Sequence, residues 1–284
     1  MNKINYKIIR GDTCGFCSGV KRAVLLAQKA AADGEVYTLG ELIHNPVVIK
    51  HLKKLNIFPV DDIERLPEGG TVLIRSHGIT VGQEREINKR GLKVIDAACP
   101  KVKRAHRICK DLSVEFSRVC IVGAADHPEV EGILSRARDN GIVISTVEDA
   151  ASLEHKKDTG ILAQTTFRKD MFFKIVSELV KKADIVKIYN TICEETLIRQ
   201  RELKKLSSEA DVLLVVGGKN SSNTKKLFEK ATEATKAYHV EDSTEVDEAY
   251  LNNVKKIGII TGASTPIETV IDIENKIRKF LSKQ

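Results

Sequence analysis

At 284 residues the chain is about twice the commonest domain size, so two or three compact units are expected. Hydrophobic residues at 42% and charged residues at 30% suit a packed core and exclude disorder. The net charge of +7 is scattered over amphipathic helical patterns such as 202–209, and aromatics at only 5%, without RNP-like or zinc-finger spacing, argue against nucleic acid as a partner.

Taken in chain order, residues 1–11 alternate polar and apolar with no long h-region or small-residue cleavage site, which predicts a cytoplasmic rather than a secreted protein. Beyond them, short β-branched runs predict strands at 35–39, 71–75, 93–95, 119–122, 143–145, 160–163, 212–216 and 257–261. Amphipathic patterns predict helices at 20–32, 47–55, 81–90, 101–116, 129–138, 169–182, 195–210, 224–234 and 266–281. The alternation argues for an α/β fold of βα units with mainly parallel sheets. The longest apolar runs are strand-sized, so no membrane span is expected. Six cysteines are too few for a disulfide scaffold, and a cytosolic compartment would keep them reduced, so some are candidate ligands.

Three signals recur in the same order through the chain. A cysteine precedes a helical pattern at Cys17, Cys99 and Cys193; a strand ends in glycine and a polar loop at Gly40, Gly123 and Gly217; another strand ends in hydroxyls or imidazole around His77, Thr165 and Ser264. The separations from cysteine to glycine agree to within one residue in the three copies. The repeats are read as 1–98, including an N-terminal strand, 99–192 and 193–284. All the signals fall at the end of a strand or the start of a helix, where open parallel sheets bind ligands. Packing of the repeats about a pseudo-threefold axis would bring these edges to one central cavity.

One thiolate per repeat supplies three soft ligands, suited either to zinc with an open fourth position or to an iron–sulfur cubane with one iron free. Each candidate precedes a helix, where free N–H groups favour the thiolate, and Pro100 fits the first helical turn after Cys99. Cys109 and Cys120 read as buried apolar residues. Cys14 makes a C-x-x-C pair with Cys17 but has no counterpart in the other repeats, and is read as a spare residue. His44, His77 and His127 occupy loop positions set by the repeat, whereas His51, His106, His155 and His239 do not. Glu129, just after His127-Pro128, is read equally well as helix-dipole compensation or as a proton donor. Asn220-Ser221-Ser222-Asn223-Thr224 is either a helix cap or a phosphate cradle. It lacks P-loop spacing, and no G-x-G-x-x-G is present, so bound ATP or NAD is not indicated.

Gly15-Phe16-Cys17-Ser18-Gly19-Val20, His44-Asn45-Pro46, Ser76-His77-Gly78, Cys99-Pro100, His127-Pro128-Glu129-Val130, Gln164-Thr165-Thr166, Cys193, Asn220-Ser221-Ser222-Asn223 and Gly262-Ala263-Ser264 together resemble the 4-hydroxy-3-methylbut-2-enyl diphosphate reductase family of the non-mevalonate isoprenoid pathway, over essentially the whole chain. The resemblance implies a three-domain trefoil around a [4Fe–4S] cluster ligated by Cys17, Cys99 and Cys193. It also implies two-electron reductive removal of the substrate hydroxyl to give isopentenyl and dimethylallyl diphosphates. By the same resemblance, His44, His77, His127, Ser221, Ser222, Asn223 and Ser264 bind the diphosphate, Glu129 is the proton source, and Thr165 is its partner with Thr166 in support. His127 thereby stands in both the binding and the catalytic group. No matched position is missing, and Cys14 is the chief departure from the motif.

A cubane with a free iron can act as a Lewis acid and as a source of electrons, a pairing that zinc lacks. Its electrons would come from a ferredoxin or flavodoxin docked on surface Lys and Arg. Two other classes compete: a non-redox iron–sulfur dehydratase, and an iron–sulfur sensor that binds nucleic acid.

Overall fold

The protein is described from a computed structural model over residues 6–282; part of the amino-terminal stretch 1–11 lies outside the described residues. The elements run β1 (Lys7–Arg10), α1 (Ser18–Ala31), β2 (Val36–Leu39), α2 (Pro46–Lys53), β3 (Ile57–Val60), β4 (Thr71–Ile74), α3 (Val81–Lys89) and β5 (Lys93–Asp96). They continue with α4 (Pro100–Glu115), β6 (Val119–Val122), α5 (Pro128–Leu134), β7 (Gly141–Ile144), α6 (Val147–Ser152), β8 (Lys156–Ala163), α7 (Lys169–Val180) and β9 (Ala183–Tyr189). The last are α8 (Glu194–Glu209), β10 (Val212–Val216), α9 (Ser222–Thr232), β11 (Ala237–Val240), β12 (Lys256–Thr261) and α10 (Ile267–Leu281).

Three four-stranded sheets result, ordered β3-β2-β4-β5, β7-β6-β8-β9 and β11-β10-β12-β1, and every pairing is parallel. The α/β class is as expected, and the sheets are wholly rather than mainly parallel. The three sheets share one topology: in each, two βα turns place the first strand between the second and the third, and a fourth strand closes the edge. In the third sheet that closing strand is β1, at the other end of the sequence. This corrects the expectation that the N-terminal strand belongs with the first repeat. β1 pairs with β12 from Lys7 to Arg10, and its two isoleucines serve opposite faces of the third sheet, Ile8 packing with α10 and Ile9 with α8 and α9.

The chain divides into two compact units. One comprises Met1–Lys21, Ile43–His51 and Glu194–Gln284, and contains the third sheet. Strand periodicity builds its core: Val212, Leu214 and Val216 face Val270, Ile273 and Ile277 of α10, while Leu213 and Val215 face Leu203 and Leu206 of α8 and Leu227 of α9. Helices on both faces explain why 212–216 is an uninterrupted apolar run. The other unit, Arg22–Leu42 and Leu52–Cys193, holds the first two sheets. There Val119, Ile121 and Leu162 pack on Ala105, Cys109 and Leu112 of α4 and on Val130 and Ile133 of α5. Arg118, 7% exposed, ties this sheet together by donating to Thr159 Oγ1 and to the Glu154 and Lys182 carbonyls.

Strands β3, β9 and β11 and helix α6 have no counterpart among the predicted elements. All three strands lie at sheet edges. Helix α5 ends at Leu134 rather than near 138, because the next residues turn more tightly, Arg136 N–H donating to Ile133 and Ala137 N–H to Leu134.

Candidate active site

Parallel strands put the carboxyl ends of each sheet on one edge, and the loops leaving that edge carry the recurrent signals. Each of the repeat-equivalent cysteines is fixed there by the same hydrogen bond. Cys17 N–H donates to Ala263 O at 3.0 Å, Cys99 N–H to Ser76 O at 3.0 Å and Cys193 N–H to Thr165 O at 2.8 Å. The acceptor is in each case the loop after the third strand of the sheet that the cysteine's own strand closes. Each cysteine therefore completes the sheet before it rather than opening the next repeat.

All three thiols are partly exposed and stand where a helix begins. Cys17 accepts from Val20 N–H at 3.4 Å, and Cys99 is the N-cap of α4 with Pro100 behind it. Burial pushes the Cys99 thiol up, against the opposing pull of the Lys101 and Val102 amides, and the charges of Cys193 and Glu129 add to the rise. The expected stabilisation of a thiolate by the helix end is thus present at Cys99 but outweighed. Among the described residues no three His, Cys, Asp or Glu side chains gather closely enough to hold a single metal ion. A cubane takes each thiolate on a different iron, so its ligands need not converge on a point. Soft, partly exposed donors suit such a cluster, and at Cys17 and Cys99 backbone N–H groups stand beside the sulfur.

The other cysteines differ in environment. Cys109 and Cys120 are fully buried, and burial drives their thiols up to about 12 and about 11. Cys14 packs on the α10 face of the third sheet and donates to Ile259 O at 3.5 Å; burial, with the Glu202 carboxylate, raises it to about 12.

In the larger unit the structure brings together His77, His127, Glu129 and Thr165. The His77 and His127 rings meet edge to face with centroids 5.5 Å apart. His127 is the N-cap of α5, and its Nδ1 accepts from Glu129 N–H at 3.1 Å. That bond leaves Nε2 to carry the proton in the neutral ring, as a donor on the far side. Glu129, 1% exposed, accepts from Thr165 N–H at 2.6 Å and from the Thr165 hydroxyl at 2.9 Å. Gln164 holds the loop from behind, accepting from Ala124 N–H at 3.2 Å and donating to Thr166 Oγ1 at 3.0 Å.

The smaller unit gathers the remaining candidates. Asn45 caps α2 and donates to Ser264 O at 3.2 Å, so the His44 loop is tied to the Ser264 loop. The His44 carbonyl lies so close to Gly218 that a Cβ there would stand 2.4 Å from it, which brings the loop leading to Ser221, Ser222 and Asn223 beside His44. Ser221 is the N-cap of α9, its hydroxyl accepting from Thr224 N–H at 3.4 Å, while the Asn223 side-chain nitrogen is buried with no hydrogen-bond partner among the described residues. The cap and cradle readings are therefore compatible.

Two residues, His106 and Thr224, have supporting roles that the sequence reading did not give them. The buried His106 ring fills the space beside Gly78, whose φ is +76°, and Gly132; burial with the Arg136 charge lowers its pKa to about 4, so it packs as a neutral ring. The Thr224 hydroxyl wedges against Gly217 and Gly262, where side chains of any size would collide with it. A lone buried histidine or threonine carries no sequence signal of such a role.

Residues 8–278 match the family described as LytB protein. The chain belongs to the LytB family. It is 43% identical over 284 residues to the 4-hydroxy-3-methylbut-2-enyl diphosphate reductase of Aquifex aeolicus, with 98% of each chain covered. To the reductase of the same name from Geobacter sulfurreducens it is 40% identical over 280 residues, covering 98% of this chain and 99% of that one. Among solved LytB-family structures, that of (E)-4-hydroxy-3-methyl-but-2-enyl diphosphate reductase, the terminal enzyme of the non-mevalonate pathway, matches with a TM-score of 0.73 and 42% identity over 96% of this chain and 99% of that one. The structure of E-1-hydroxy-2-methyl-but-2-enyl-4-diphosphate reductase from Plasmodium falciparum gives a TM-score of 0.91 at 28% identity, covering 95% and 87%. The family resemblance read from the motifs is borne out.

Proposed function

We propose that this LytB-family chain reduces 4-hydroxy-3-methylbut-2-enyl diphosphate to isopentenyl and dimethylallyl diphosphates, with a [4Fe–4S] cluster held by Cys17, Cys99 and Cys193. The observation that carries the reading is the buried Glu129 carboxylate hydrogen-bonded to Thr165, whose carbonyl in turn anchors Cys193. When bound, the cluster would supply Lewis acidity and electrons. The balance is two electrons and two protons consumed, one C–O bond broken, one C–H bond formed and one water released.

The protein's own residues suit the remaining tasks. Once protonated, Glu129 can donate to the Thr165 hydroxyl, reversing the bond between them, and pass its proton along that hydroxyl toward the departing oxygen. His127, through Nε2–H, donates to a phosphate oxygen, as do His44, His77, Ser221, Ser222, Asn223 and Ser264, with Thr166 supporting. The start of α9 adds backbone N–H groups for the anion. A ferredoxin or flavodoxin docked on surface Lys and Arg would deliver the electrons, and a reducing cytoplasm suits the thiols. Among the described residues no helix is long and apolar enough to cross a membrane.

Anaerobic purification followed by iron and sulfide assay should give about four of each per chain. The same preparation should convert the diphosphate only when a reductant is supplied. Substrate-dependent release of water without reductant would replace the reductase with a dehydratase.

Asn223→Ala should weaken substrate binding by about 1–3 kcal/mol by removing a donor to a charged oxygen. Ser221→Ala should do the same and also cost about 1 kcal/mol of stability through the lost cap of α9. Calorimetric titration well below the melting temperature separates the two effects. Unchanged affinity in the double variant would remove this loop from the diphosphate site.

A further inference from the structure

The loop at residues 11–18 carries Cys17 and is gripped along one face of α8 by residues the motifs did not include. Glu195, Arg199 and Glu202 recur at helical spacing and so share that face. Glu202 accepts from Asp12 N–H, from Thr13 N–H at 3.2 Å and from the Thr13 hydroxyl. Arg199 donates through one terminal nitrogen to both Thr13 O and Gly15 O, each at 2.9 Å. Glu195 accepts from Ser18 N–H at 3.1 Å and from its hydroxyl, and its carboxylate stands 3.7 Å from Arg199. The two carbonyls that Arg199 holds flank Cys14, and the chain bends at Gly15, whose φ of +117° suits glycine. On the opposite side, Gly15 N–H donates to Thr261 Oγ1 at 3.1 Å and Cys17 N–H to Ala263 O.

Arg199 is 3% exposed, an uncommon burial for a guanidinium, and the fold retains it although the adjacent core is apolar. Its charge is matched by Glu195 on one side and by backbone carbonyls on the other, so its bonds are charge-assisted and directional. We infer that Arg199, braced by Glu195 and acting beside Glu202 on the same loop, is a positioning residue that holds the Cys17 loop in the conformation in which its thiol can serve as a ligand. This rests on the cluster reading above for its purpose, but the grip itself is a property of the chain.

The test compares Arg199→Met with the unaltered full chain by peptide-resolved hydrogen exchange in the iron-free state and by iron release to a chelator in the loaded state. Exchange over residues 12–18 should quicken by about tenfold or more, the loss expected for one charge-assisted contact, with β10, β12 and the Cys99 and Cys193 segments unchanged. A merely structural role would raise exchange across the third sheet as well, and that outcome overturns the inference. So would unchanged exchange over 12–18, whatever the iron does, or loosened exchange with iron release at the unaltered rate. Arg199→Lys, which keeps the charge but not the reach of the fork, should show the same local pattern at smaller amplitude, and serves if the methionine variant does not fold. Failure of the unaltered protein to bind iron would instead count against the cluster reading.

Discussion

Replacing the six cysteines one at a time by serine should divide them three and three. Cys17→Ser, Cys99→Ser and Cys193→Ser should each lose the visible absorbance of an iron–sulfur cluster after anaerobic reconstitution, and Cys14→Ser, Cys109→Ser and Cys120→Ser should keep it. The division follows from anchoring for Cys17, Cys99 and Cys193, from burial for Cys109 and Cys120, and from the sheet packing of Cys14, which is itself partly exposed. Each member of the first set hangs from the loop of a third strand by its own N–H, is partly exposed and begins a helix. Iron requires the thiolate, and serine offers a harder donor that ionises far less readily. Cys109 and Cys120 sit among apolar side chains that hold them protonated, and Cys14 is occupied with the Ile259 carbonyl beneath the Glu202 carboxylate. Serine at Cys109 or Cys120 should cost stability, because it buries a hydroxyl, without touching the cluster. Full cluster retention in Cys193→Ser would sink the ligand assignment.

The repeat in the sequence exposed the candidate site more fully than it exposed the fold. Cys17, Cys99 and Cys193 are equivalent by spacing, and their common hydrogen bond to Ala263, Ser76 and Thr165 gives that equivalence a structural form. Central strands such as 119–122 and 212–216 were the plainest to read, because burial on both faces leaves a continuous apolar run. Of the edge strands, β5 and β7 were read at 93–95 and 143–145, whereas β3, β9 and β11 escaped. Pro59 interrupts the first, Lys187 stands in the second and the third is only partly buried, so none shows a clean period. The membership of β1 was hidden for a different reason. Its partner β12 lies near the far end of the chain, and local pattern carries no information on so long a pairing. The same applies to Arg199 and Glu202, whose partners in the Cys17 loop are distant in sequence, and to His106, whose role depends on two glycines that approach it from other elements.

Glu129→Gln separates the two meanings that the sequence allowed this residue. As helix-dipole compensation its loss should cost about 0.3–1 kcal/mol of stability and little activity. The geometry already weakens that reading: the cap of α5 is His127 Nδ1, which accepts the Glu129 amide, while the carboxylate turns to the Thr165 amide and hydroxyl. Glutamine retains the shape and can still accept from Thr165 N–H, and the Thr165 hydroxyl can rotate to accept from the new amide. What it lacks is an acidic proton. If Glu129 delivers the proton that lets the hydroxyl leave, turnover should fall by about 100-fold or more while iron content and substrate affinity hold. Reductant-driven turnover, iron content and calorimetric affinity, measured anaerobically on one preparation, distinguish the cases. A fall in turnover accompanied by an equal fall in affinity would point to a distorted His127 and a lost phosphate contact. Near-normal turnover in an iron-replete variant would return Glu129 to the helix and leave the proton to another group.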